Sequence, residues 1–290
     1  MGGSMALDLK AKKIADKIYG FDANQEHQKV ALKLGLVDEI IEFDGLGKLD
    51  LVIVAIPVDA MISFLPKLLD QLVDTIPGQI LDQTSGPCVV IDMGSTKENI
   101  CEVLRSHPRR KQFVAAHPMA GTEHSGPLAA VPDLFARKTA VICEQELSDP
   151  RATGLVTQIF HRLQMRIIHM SAKDHDLHVA YVSHLSHISS FVLAATVLEK
   201  EKNHSTIFDL AGGGFESTVR LAKSSPAMWG PIFAQNKKNV LASVDAYMDQ
   251  LQIFRKALSE GSWQDVHDYI NDTNRIRGIL DIIKVAGHKS

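Results

Sequence analysis

The residues best suited to acid–base chemistry lie in Ala116 to Gly126, AHPMAGTEHSG, where His117 follows the apolar run Phe113 Val114 Ala115 Ala116. A short apolar run ending in His-Pro, then glycine and hydroxyl residues, predicts a buried strand that empties into a loop. Imidazole is the side chain that moves protons near neutral pH, and Thr122, Glu123, His124 and Ser125 follow within a few residues. A polar turn with an incidental histidine has the same pattern, so the surrounding elements must decide between the two.

Other residues invite chemistry of a different kind. His175 with His178, and His184 with His187, are each three apart in a helical pattern and could present paired ligands to a metal. Asp174 and Asp176 beside the first pair are more simply explained by the dipole at a helix start, and no metal is expected. His184 reads as a satisfied, half-buried histidine, whereas His187, beside Ser186, Ser189 and Ser190, is placed to face a pocket. Gly212 Gly213 Gly214 would let the backbone approach a ligand, and Arg220 shortly after can grip a carboxylate with two parallel hydrogen bonds. Taken singly, Arg220 reads as a solvated charge, Trp229 as a packing residue, and Ser95 or Thr96 as a helix cap.

The elements that would position these groups alternate. Strands are expected over Lys17 to Phe21, Glu39 to Phe43, Leu51 to Ile56, Cys88 to Asp92, Phe113 to Ala116, Thr139 to Cys143 and Arg166 to His169. Helices fill the intervals Asn24 to Leu34, Asp59 to Leu72 and Pro150 to Leu163, which predicts a parallel, doubly wound sheet. Asp22, Pro57, Ser95 and His117 then all fall at carboxyl ends of strands, the edge along which open α/β sheets bind ligands. At the amino end Gly2, Gly3 and Ser4 read as the first turn of a helix whose preceding strand is missing. Asp22 closes the next strand about 20 residues later, where a dinucleotide fold holds the adenosine ribose. Its carboxylate favours NAD over NADP.

Past Ser171 only helical period remains. Leu177, Tyr181, His184, Ile188, Phe191, Ala195 and Leu198 recur at three- and four-residue spacing, and further helix is expected over Ser217 to Ala222, Pro226 to Glu260 and Ser262 to Ile283. The division is therefore a nucleotide-binding α/β domain over residues 1–170 and a helical domain over 171–290. The 290 residues are 45% apolar and 22% charged with a net charge of -3, which gives no reason to expect nucleic acid or a membrane surface. Three scattered cysteines suit a reducing, cytoplasmic compartment, and no continuous apolar run reaches the length of a membrane span.

With AHPMAGTEHSG, VSHLSHISS and GGGFESTVRLAKSSPAMW in that order, nearly the whole chain resembles the prephenate dehydrogenase family of tyrosine biosynthesis. The resemblance implies a Rossmann-like NAD domain followed by an all-α domain that builds an intertwined homodimer. It also implies oxidative decarboxylation of prephenate to 4-hydroxyphenylpyruvate. Carried over by motif, His117 takes the ring hydroxyl proton, Ser95 orients that hydroxyl or His117, and Thr122 and Glu123 shape the pocket. Arg220 would bind a substrate carboxylate, with His187 and the Gly213 backbone nearby and Trp229 supporting the helix. Gly2, Gly3, Ser4, Asp22, Pro57 and Ser95 would line the cofactor.

Two departures from the family pattern stand out. Ser217 occupies a position that is often acidic, and the chain begins inside the glycine-rich turn, without the strand that would sit between those ending at Asp22 and Ile56. Met1 is accordingly expected to be internal to a longer protein, with NAD held weakly because part of the glycine cradle is gone. The alternatives to a prephenate enzyme are an arogenate dehydrogenase and a helical dimer with lost or weak activity.

Overall fold

The computed structural model describes residues 1–74, 86–121, 124–203 and 206–288. Thr122 and Glu123 lie outside them. The first elements are α1 (Gly2–Ala11), β1 (Tyr19–Gly20), α2 (Gln25–Lys33) and β2 (Glu39–Ile40). Then come β3 (Leu51–Val54), α3 (Val58–Asp70), β4 (Val89–Asp92), α4 (Glu98–Leu104), β5 (Phe113–Pro118), β6 (Thr139–Cys143), α5 (Pro150–Arg162) and β7 (Arg166–Met170). Five strands form one sheet in the order β3-β4-β5-β6-β7, while β1 and β2 pair separately.

The sheet is not wholly parallel as the alternation predicts. β5 and β6 run antiparallel, with His117 opposite Val141 and Pro118 opposite Ala140. The segment between them contains no α-helix among its described residues, so nothing carries the chain back across the sheet for a parallel return. The strands expected over Lys17 to Phe21 and Glu39 to Phe43 shrink to two residues each, with a 3₁₀ turn at Phe43–Lys48 replacing the end of the second.

Alternate residues of the central strands enter opposite cores, as a sheet covered on both faces requires. Val89, Ile91, Val114 and Ala116 pack with α1 and α5 through Met5, Leu9, Leu155 and Phe160. Val90, Phe113 and Ala115 pack with α3 and α4 through Leu65, Leu68, Ile100 and Leu104. The start of α1 is fixed against its surroundings by its small residues. A side chain on Gly2 would come to 3.2 Å from Ala55 Cβ, and one on Gly3 to 2.9 Å from Ala130 Cβ. Ser4 Oγ accepts the Val131 N–H at 3.0 Å and Asp8 Oδ1 that of Asp133 at 2.7 Å, so the segment that follows the His117 loop is pinned along α1.

The helical region comprises α6 (Ala172–Val179), a π turn at Ala180–His184, α7 (Leu185–Glu201), α8 (Gly213–Val219), α9 (Pro226–Gln235), α10 (Lys237–Ser259), α11 (Trp263–Thr273) and α12 (Ile276–His288). Two of the expected long helices are therefore interrupted, near Asn236 and Asn274, and a third contains the π turn. The continuous helix Ala172–Glu201 is long and apolar enough to cross a membrane, which the sequence reading passed over. Its buried polar residues His175, Asp176, His184 and Ser190 nevertheless serve contacts inside the protein.

Beneath the carboxyl edge of the sheet, Lys97 and Asp92 form an ion pair with both side chains fully buried. Asp92 also accepts the N–H of Ala116 at 3.1 Å and of Gly94 at 2.9 Å, which ties the end of β4 to the end of β5. Breaking a buried pair from one side leaves an uncompensated charge. Lys97→Met is therefore expected to cost about 3–5 kcal/mol in urea unfolding, with Asp92→Asn added to it recovering part of the loss. A Lys97→Met cost below about 1 kcal/mol would contradict this account.

Candidate active site

The end of β5 places His117 half-buried where the sheet meets the helical region. Its Nδ1 lies 2.8 Å from Nε2 of His175 on α6, and Nδ1 of His175 lies 2.7 Å from Oδ1 of Asp176. Asp176 is itself anchored across the domain boundary. Its Oδ1 accepts the Lys97 N–H at 2.7 Å and its Oδ2 the Glu98 N–H at 2.9 Å, two of the donors that the start of α4 leaves unpaired.

This arrangement revises two sequence expectations. Neither Ser95 nor Thr96 caps α4, whose cap residue is Lys97 and whose free donors go to Asp176. Asp176 serves that distant helix rather than the dipole of its own. His175, which stands three residues from His178, is bonded to His117 and Asp176.

The second histidine group lies on the same helix. Asn236 donates to the Asp176 carbonyl at 2.7 Å and lies 3.3 Å from His184 Nδ1, so the break between α9 and α10 is a fixed point of the site. His184 meets the Trp229 ring edge to face, and His187 stacks on the same ring with centroids 3.6 Å apart. His187 Nδ1 lies 3.0 Å from the Ser183 carbonyl. Trp229 also packs against Val58 at the start of α3, just past Pro57, and so bridges the two regions. Its indole nitrogen has no hydrogen-bond partner among the described residues.

Burial is the main cause that holds His117 well below the ordinary imidazole value, and repulsion from His175, Lys97 and His184 adds to it. Burial likewise lowers His175, against the opposing hydrogen bond and charge of Asp176. His184 is pushed down to about 4, again mainly by burial, and His187 is lowered by burial with Arg220 contributing. All four rings are thus neutral at neutral pH, and a neutral ring can accept a proton.

Arg220 is exposed just past α8 and, among the described residues, has no carboxylate within ion-pair range. Its helix is fastened to α7 by Ser190, which donates to the Thr218 carbonyl at 3.0 Å. Ser217 donates to the Gly214 carbonyl at 3.0 Å. A side chain on Gly212, Gly213 or Gly214 would meet nothing within 4 Å, so packing inside the chain does not demand glycine there.

On the nucleotide side, α1 has no acidic residue in its first turn, which leaves its amino end suited to a phosphate anion. Ser4 is fully buried, and its hydroxyl is engaged by the Val131 N–H. Asp22 follows β1, where Oδ1 accepts the Asn24 N–H at 2.8 Å and Oδ2 lies 3.3 Å from His27. Pro57 is the cap residue of α3 and is exposed, and Ser95 is half-buried in the turn after β4. Sequence reasoning missed His175, Asp176 and Asn236 as parts of the site. The only sequence signal was the adjacency His175-Asp176 at the start of an apolar helix, which by itself does not point to His117.

Comparison with known proteins accounts for both halves of this arrangement. Residues 5–169 match the family model for the prephenate dehydrogenase nucleotide-binding domain, and residues 171–272 that for its dimerization domain. A prephenate dehydrogenase of Bacillus subtilis (strain 168) is 28% identical over 97% of this chain and 74% of its own length. A cyclohexadienyl dehydrogenase of Zymomonas mobilis is 25% identical over 96% of this chain and 92% of its own. The crystal structure of a prephenate dehydrogenase from A. aeolicus, in complex with hydroxyphenyl propionate and NAD+, superposes with a TM-score of 0.84 at 28% identity, covering 97% of this chain and 94% of that one. The chain belongs to the prephenate dehydrogenase family, and its two parts are that family's nucleotide-binding and dimerization domains.

Proposed function

We propose that this chain is an NAD-dependent dehydrogenase that oxidatively decarboxylates prephenate to 4-hydroxyphenylpyruvate, as a cytoplasmic homodimer. The observation that carries the reading is a neutral, half-buried His117 in hydrogen-bonded contact with His175, with Arg220 on the helical side in no ion pair among the described residues. The A. aeolicus relative was solved with a ligand that bears a phenol hydroxyl and a carboxylate, the two groups these residues would meet.

In the proposed reaction His117 accepts the proton of the ring hydroxyl as the hydride leaves the same carbon. The bond to the ring carboxylate then breaks, carbon dioxide departs, and the electron pair aromatises the ring. The proton held on His117 returns to the phenolate oxygen, so the net products are 4-hydroxyphenylpyruvate, carbon dioxide and reduced cofactor. Ser95, in the turn after β4, orients the hydroxyl or His117. Arg220 grips a carboxylate, with His187 and the Gly213 backbone beside it; Thr122 and Glu123, outside the described residues, are assigned to the pocket by motif.

The fit to NAD rests on the amino end of α1 at Gly2, Gly3 and Ser4, with Asp22 toward the ribose and Pro57 and Ser95 along the strand edge. When bound, NAD supplies the hydride acceptor. Support for the homodimer comes from Leu241, Met248, Leu251 and Leu258, exposed along one face of α10 at three- and seven-residue spacing.

A prephenate-dependent NADH assay tests the reading. His117→Gln is expected to lower kcat by about 10² to 10⁴, the usual contribution of a general base. A parallel arm with arogenate separates the two substrates, and a stable dimer that produces no NADH from either would favour the inactive alternative. Arg220→Ala is expected to raise KM for prephenate about 10- to 100-fold, with Arg220→Lys only partly restoring it because the forked geometry is lost. Unchanged KM would remove Arg220 from the site.

The pH profile follows from the sign of the His117 shift. The base must be unprotonated and its value is lowered, so kcat/KM stays level as pH falls through 6.5 and declines only in more acidic solution. A half-maximal rate at or above pH 6.5 would contradict the assignment.

A further inference from the structure

We propose that His175 and Asp176 are positioning residues that set which nitrogen of His117 carries its proton, leaving Nε2 of His117 bare to accept the proton of the substrate hydroxyl. The inference rests on the reading of His117 as the base. The hydrogen bonds fix the assignment from the outside inward. A carboxylate only accepts, so the 2.7 Å contact between Asp176 and His175 requires the proton on Nδ1 of His175. A neutral imidazole has one donor and one acceptor, so Nε2 of His175 then accepts. The 2.8 Å contact with His117 follows only if Nδ1 of His117 donates.

The assignment cannot easily reverse. Turning it round would put the proton on Nε2 of His175 and set the bare Nδ1 lone pair against the Asp176 carboxylate. That carboxylate is held by the Lys97 and Glu98 backbone N–H groups, and the main-chain carbonyl of Asp176 by Asn236, so it does not swing away. Both His175 and Asp176 are 1% exposed, and water does not offer a substitute partner. When His117 takes the substrate proton it becomes a cation whose Nδ1–H already points at a neutral ring backed by a carboxylate. The pair therefore acts on the charged state as well as on the tautomer.

Nitrogen-15 NMR of histidine-labelled protein, with His117 assigned through His117→Gln, measures the tautomer directly and without turnover. The wild type is expected to carry the His117 proton on Nδ1. His175→Leu is expected to release that preference and lower kcat by about 10², with both KM values changing by no more than about threefold. His175→Gln, whose amide oxygen can take the His117 N–H, is expected to keep the tautomer and stay within about tenfold of wild-type kcat. The proposal is overturned if wild-type His117 carries its proton on Nε2, a result that needs no variant to fold. Full kcat in His175→Leu, or equal losses in both variants with the tautomer unchanged, would also overturn it. A wild type that makes no NADH from prephenate would defeat the reading of the reaction and leave the tautomer measurement to decide this assignment separately.

Discussion

One carboxylate carries much of this architecture. Asp176 accepts the two N–H groups at the start of α4, holds His175 through the oxygen that also meets the Lys97 N–H, and belongs to the first helix of the dimerization domain. The nucleotide-binding sheet and the helical domain are thus joined by hydrogen bonds to an ionised, buried acceptor, the stronger class of such bonds. Without it α4 would lose its cap and α6 its anchor. His117 would then sit at a strand end with nothing to orient it.

The charge distribution follows the same economy. Lys97 is fully buried and already matched to Asp92, whereas Arg220 stands at the exposed rim, the position in which the proposed reading has it meet a substrate carboxylate. The four histidines between them are kept neutral by burial, and they supply directional acceptors and donors without adding field. A cationic ring at His117 could not act as a base. One at His184 or His187 would oppose protonation of the base.

How much of this was legible in the sequence depended on range. The central strands announced themselves because Val89 to Ile91 and Phe113 to Ala116 are apolar on both faces, and the alternation with helices gave the domain class. His117 was legible as a histidine at a strand's carboxyl edge, and Arg220 as a cation after three glycines. The hydrogen bond from His117 to His175 joins residues 58 apart, and that from Lys97 to Asp176 residues 79 apart, so no local spacing encodes either. The antiparallel β6 was missed because β-branched runs look alike in both directions. Asn236 read as one more helical residue when it ends α9 and bonds both Asp176 and His184.

The π turn at Ala180–His184 has a consequence for the phase of the helix that contains it. In a regular α-helix nine residues turn through about 900°, which would put His184 diametrically opposite His175. One surplus residue in a π turn subtracts roughly 100° from that count and brings the two rings to within a quarter-turn of each other. Asn236 can then reach the Asp176 carbonyl and the His184 ring at once. Removing a single residue from 180–183 would rotate His184 and His187 about the helix axis, away from Asn236 and the Trp229 ring that they meet. The site is as much a property of that local winding as of the side chains it carries.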